Sequence, residues 1–176
     1  MNTQFNIIID EELNNDILDE INLFFSIYNP PINIDLYITN DLYTKRKSFI
    51  CGLNDFNLVE KSKNSLQKYR GCLAFGTRTS DNFSVLLSYN IFKISDKCWR
   101  GTIHHECTHA CDYYNYLNYN NIIESDKIYE TEFFREFWLW SEFHARLHGC
   151  NRNFNYLYYS LQSIEYKIDP KQSINK

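Results

Sequence analysis

Glycine and proline are scarce, five and three in 176 residues. So few turn formers argue against an all-β protein with many turns, and against a disordered chain. There is no large basic block: 18 basic and 22 acidic side chains leave a formal charge of −4, which makes nucleic acid a poor partner. The one short basic cluster, Lys45-Arg46-Lys47, reads as a solvated loop. No C-x-x-C pair occurs among the six cysteines, and a domain of this size needs no disulfide framework, so reduced, structural thiols are expected. The N-terminal residues carry no basic stretch ahead of their short apolar run, and no segment approaches the ~18 apolar residues of a membrane span. The expectation is a soluble, cytoplasmic protein with no membrane partner.

Aromatic residues are abundant, with 14 Tyr, 13 Phe and 3 Trp, and the length suits one domain that buries roughly 70 % of its unfolded surface. Leu13, Ile17, Ile21, Phe24 and Tyr28 recur at helical spacing. They predict a helix over 10–28, capped by Asp10 and stopped by Pro30-Pro31. Alternation over 32–39 predicts a half-buried strand. Residues 40–70 show no clean period and read as a long connection with one short helix at most. Strands over 71–77 and 83–90, joined by Ser80-Asp81-Asn82, predict a hairpin, with Phe83, Val85, Leu87 and Tyr89 on one face of the second strand and Ser84, Ser88 and Asn90 on the other. Ser95-Asp96 would then open a helix to about residue 116. A second long helix is predicted from 125 or 126 to 148, largely buried by its aromatic residues and capped by Gly149. A last helix over 153–168 would stop at Pro170. Helix, strands and then helices make an α+β domain spanning 1–176.

Within the helix that Ser95-Asp96 would open stands His105-Glu106-Cys107-Thr108-His109, an H-E-x-x-H pattern expected by accident in about 0.9 % of chains of this composition. Residues four apart share one helix face, so both imidazoles can bind one Zn²⁺ while Glu106 reaches a water on it. Cys107 and Cys111 lie more than about 100° round the helix and point away. His104 also points away and reads as structural. Asp112 returns to the histidine side, where it can orient a ring through its second nitrogen. Catalytic zinc takes three protein ligands as a rule, and the following helix offers Glu130, Glu132, Glu136 and Glu142. Glu142 stands out in Trp138-Leu-Trp-Ser-Glu-Phe-His-Ala145-Arg: a carboxylate in so aromatic a helix is costly without a cation, and Ala145 would let two helices approach closely.

His105-Glu-Cys-Thr-His-Ala-Cys-Asp-Tyr113, followed 33 positions after His109 by Glu142-Phe-His-Ala-Arg, resembles the zincin metallopeptidases whose third ligand is a glutamate. It is most similar to the anthrax lethal factor catalytic domain and the phage-immunity metallopeptidases, over about residues 99 to 148. Thr108 stands where these relatives commonly have Gly. The resemblance implies a zincin-like fold: a small mixed sheet with an edge hairpin packed on the N-terminal and H-E-x-x-H helices, then a Glu-bearing helix and a C-terminal helix. It implies one zinc ion on His105, His109 and Glu142, Glu106 as general base, a zinc-bound water as nucleophile, and a peptide or protein substrate held along residues 83–90 if that strand is the edge. Arg135, Arg146, His144, His148 and tyrosines 113, 116 and 129 are all candidates to stabilise the oxyanion. A zinc-keeping regulatory protein without proteolysis is the alternative, and the intact Glu106 speaks against it.

Overall fold

A computed structural model of the chain describes residues 3–5, 11–69, 71–74, 82–93 and 98–165, with side chains described only within 12–160. The first helix, α1 (Glu11–Tyr28), buries Ile17, Ile21 and Phe24 at the predicted spacing. It ends because Asn29 adopts a left-handed conformation, φ 40°, and returns its N–H to the Phe25 carbonyl at 2.8 Å. That is a helix stop that Asn tolerates better than most residues. Asp10, the expected cap, lies outside the described residues.

Four strands form the sheet: β1 (Thr3–Phe5), β2 (Asn33–Thr39), β3 (Gly71–Ala74) and β4 (Asn82–Ser88), in the order β1-β2-β4-β3. β1, β2 and β4 run parallel, whereas β3 returns antiparallel to β4 with Gly71 opposite Leu87. The hairpin is therefore present, but β3 is the edge and β4 is interior, which corrects the expectation that 83–90 is an open edge. Ile34, Leu36 and Ile38 of β2 pair with Phe83, Val85 and Leu87 of β4 and face the main core together. The other face of β4 is covered as well: Leu86 packs with Leu42, Phe49 and Ala74, and Ser84 and Ser88 are buried.

What covers that face is the segment that reads as a connection. It holds three short helices, α2 (Leu42–Lys47), α3 (Leu53–Lys61) and α4 (Lys63–Leu66). Asp41 starts α2 by accepting the Thr44 N–H at 3.0 Å, an N-cap that replaces a missing backbone partner. Arg46 is buried, not solvated: its guanidinium meets Asp55 through two hydrogen bonds of 3.1 and 2.5 Å. That pairing compensates the cost of burying either charge alone.

The motif helix, α5 (Trp99–Tyr119), lies on the main core through Ile103, Cys107 and Ala110. Ser95-Asp96 fall outside the described residues. A short 3₁₀ segment, Ser125–Glu130, leads to α6 (Phe134–Glu165). The two helices expected over 125–148 and 153–168 are thus one, and Gly149 lies inside it instead of capping it. The reason is a close crossing. A Cβ on Gly149 would stand 2.7 Å from the Gly101 carbonyl oxygen, and one on Gly101 would stand 2.4 Å from that of Gly149. Glycine at these two positions lets the α5 and α6 backbones touch. Ala145 is fully buried in the same contact region, whereas Phe143, Trp140 and Leu147 are exposed, so α6 is not largely buried. Among the described residues no helix is long and apolar enough to cross a membrane. Cys51, Cys72, Cys107, Cys111 and Cys150 stand as thiols.

Behind this crossing, Glu20 of α1 ties the three long helices. It meets His104 Nε2 at 2.9 Å, Arg100 at 3.2 Å and Arg152 at 2.8 Å, so His104 is structural, as its place on the helix implies. Burial alone would raise the Glu20 carboxyl, but hydrogen bonds and charge from Arg152 and His104 outweigh it and bring it down to about 2.

Candidate metal centre

His105 and His109 project from one face of α5 toward α6, and their Nε2 atoms are 3.2 Å apart. Glu142, on the facing turn of α6, places Oε1 3.5 Å from His109 Nε2. The three donor groups lie within 4.8 Å of one another. Two ligands bonded at about 2.0–2.1 Å to one tetrahedral ion lie roughly 3.3–3.4 Å apart. The observed 3.2 and 3.5 Å bracket that separation for two of the three pairs; the third, His105 to Glu142, is wider, within 4.8 Å, and closes by a side-chain adjustment of about 1 Å. Two imidazoles and a carboxylate are also a donor set that catalytic zinc takes, so the residues present fit the group.

The orientation of His109 is set from behind. Its Nδ1 lies 2.8 Å from Ser141 Oγ, and Ser141 donates to Asp112 Oδ2 at 2.9 Å. Because the serine proton is committed to a carboxylate, its oxygen accepts from His109 Nδ1–H, which leaves the Nε2 lone pair facing the cluster. Asp112 therefore acts on His109 through Ser141, and contacts His144 Nδ1 directly at 2.9 Å. The chain continues from His144 Nε2 to His148 Nε2 at 2.9 Å and from His148 Nδ1 to the Tyr28 hydroxyl at 2.6 Å. Ser141 is a residue that sequence reasoning missed. It is fully buried, and nothing in the sequence around Glu142 marks it.

The charges are graded across the site. Burial pushes His105 down to about 4, and the neighbouring His109 adds to this. For His109 burial acts downward too, but the hydrogen bond to Glu142 and the charges of Glu106, Glu142 and Asp112 prevail and raise it. Glu142 is lowered, chiefly by that hydrogen bond to His109, against its burial. Asp112 is raised by burial, which its bonds to Ser141 and His144 only partly offset. Glu106 is buried beside the cluster and pushed up to about 7 by desolvation, opposed by His109 and helped by Glu142. A carboxyl near neutrality is suited to take and return a proton at ordinary pH.

Glu106 also depends on the sheet edge. A Cβ on Gly71, the first residue of β3, would stand 2.9 Å from Glu106 Cγ and 3.0 Å from Oε1. Only glycine leaves the carboxyl its place against β3. The site opens into a cleft of about 1370 Å³ between α6, the edge strand β3 and helices α3 and α4. Of the oxyanion candidates, Tyr113, Tyr129, Arg135 and Arg146 line this cleft. Tyr129 donates its hydroxyl to Asp55 at 3.0 Å, and Arg146 stands 3.6 Å from Glu142. Tyr116 is bound to Thr131 at 2.7 Å, while His144 and His148 open with Tyr28 to a separate pocket of about 230 Å³. Cys107 is buried in the core, away from the cluster. The chain matches no protein-family model, no curated protein and no solved structure.

Proposed function

We propose that this chain is a zinc-dependent metallopeptidase of the zincin type, with one Zn²⁺ on His105, His109 and Glu142 and an extended peptide or protein segment as substrate. The observation that carries the reading is the pair of donor separations, 3.2 and 3.5 Å, beside a buried glutamate pushed up to about 7. Structural zinc sites need no such base. When bound, zinc supplies a Lewis acid for the scissile carbonyl and a lowered pKa for its water. The chain's own residues do the rest. Glu106 takes a proton from the attacking water and delivers it to the leaving amine. Ser141 and Asp112 hold the His109 ring in its ligating tautomer. The outer edge of β3, the last strand of the sheet among the described residues, lines the cleft beside Glu106 and offers backbone groups to an extended chain.

The test is Glu106→Gln assayed on a mixed peptide library. The substitution keeps all three ligands, so zinc content stays as in the parent while hydrolysis falls by at least about 10²-fold, the low end for loss of a general base. Library cleavage that Glu106→Gln leaves unchanged refutes the assigned base. No cleavage by the parent protein carrying a full equivalent of zinc favours a zinc-keeping regulatory protein.

A further inference from the structure

Along α6, Trp140, Phe143, Leu147, Cys150, Phe154 and Leu157 follow one another at alternating steps of three and four residues, and the same steps in the sequence reach Leu161 and Ile164. Eight apolar residues out of eight arise by accident on the order of 0.1 % of the time per register, given a chain that is 44 % hydrophobic. This is the 3.5-residue period of a helix that packs on another helix, with residue 140 at the first core position and 143 at the second. Nothing in the described fold fills that role. Trp140, Phe143, Leu147, Phe154 and Leu157 are 47 to 68 % exposed, and Cys150 is exposed too.

The seam is not the face by which α6 joins its own domain. α5 is met by Ser141, Ala145 and Gly149, all buried. Nine residues at about 100° each place Phe154 diametrically opposite Ala145. A second helix can therefore lie on the seam with the domain on the far side.

We infer that α6 pairs with α6 of a second copy of this chain, forming a two-fold dimer through this seam. The charge pattern favours a like partner. The flanking positions 139, 144, 146, 151, 153 and 158 carry Leu, His, Arg, Asn, Asn and Tyr. A single fixed charge gives no run of one sign to select a foreign helix of the other. The area is sufficient. The exposed fractions of the five side chains amount to roughly 550 Å² per copy, hence about 1,100 Å² for the pair, above the roughly 1,000 Å² of a specific interface before flanking residues are added. A two-fold axis makes the same patch serve both partners. Phe143 and Cys150 also border the cleft, so the second copy forms part of its outer rim.

Sedimentation equilibrium of the full chain at roughly 10–100 μM tests this. The expected mass is twice the 21.2 kDa of one chain, and the double variant Leu147→Lys/Phe154→Lys, with unchanged circular dichroism, is expected to sediment as one chain. A wild-type monomer throughout that range, or a folded double variant that stays dimeric, overturns the inference. Maleimide labelling of wild-type Cys150 gives a reading that needs no variant. Its rate is expected to fall several-fold as protein concentration rises through the dimerisation range, and a rate equal to that of a free thiol at every concentration overturns the inference equally.

Discussion

Gly101 of α5 and Gly149 of α6 stand backbone against backbone, each leaving no room for a Cβ above the other's carbonyl oxygen. His105 follows Gly101 by one turn, and Glu142 precedes Gly149 by two. The crossing therefore sets how near the carboxylate comes to the imidazoles. Gly149→Ala gains about 1 kcal/mol in helix propensity, but the new methyl meets a carbonyl oxygen at 2.7 Å that cannot rotate away. Overpacking wins, and a net loss of about 1–2 kcal/mol of stability is expected in denaturant unfolding, with weaker zinc binding as α6 is pushed outward.

Ser141→Ala removes the acceptor of His109 Nδ1–H and one donor to Asp112. Zinc affinity is expected to fall about 10–100-fold, the usual effect of losing a group that orients a ligand. Competition with a chromophoric chelator measures it. Ser141→Thr, which keeps the hydroxyl, is expected to recover part of the loss.

Much of this was open to reading in the sequence, and what was not has identifiable causes. His105, Glu106 and His109 are legible because their relation is local: helix geometry alone puts four-residue neighbours on one face. Glu142 is singled out by its aromatic neighbours Trp138, Trp140 and Phe143, although these prove exposed; its place 3.5 Å from His109 comes from the crossing of α5 and α6. Gly149 misleads, since a glycine that ends a helix and one that lets two helices touch are identical in sequence. Ser141 leaves no local trace because its two partners lie 29 and 32 residues away. The aromatic residues of α6 read as core because apolar character alone does not say which side of a helix meets its own domain. Arg46 reads as solvated because its partner Asp55 sits on the next helix.

Protons released on zinc binding report the graded charges. At pH 6 the raised His109 carries a proton that zinc must displace, whereas His105, pushed down to about 4, is already neutral and the lowered Glu142 is already ionised. Calorimetry of Glu106→Gln, which lacks the neighbouring carboxyl that also holds a proton at pH 6, in buffers of different ionisation enthalpy is expected to show release of about one proton per zinc at pH 6. Release of two at pH 6 would contradict the grading.

Glu20 links stability to pH. Its folded pKa of about 2 lies below the ordinary value of 4.5. Its contribution is therefore fully present above pH 4.5 and is lost as pH falls from there toward 2. Glu20→Gln leaves Arg100 and Arg152 without their carboxylate and is expected to cost about 3 kcal/mol at pH 7. Denaturant unfolding at pH 7 and pH 3 measures both, and the difference between parent and variant should shrink at the lower pH.

The central claim is that His105, His109 and Glu142 hold one zinc ion, and the zinc content of protein purified without added metal tests it most directly. The account predicts about one equivalent per chain, reduced to a small fraction in His109→Ala. A content below roughly two tenths of an equivalent in the parent protein, or an unchanged equivalent in His109→Ala, would contradict it.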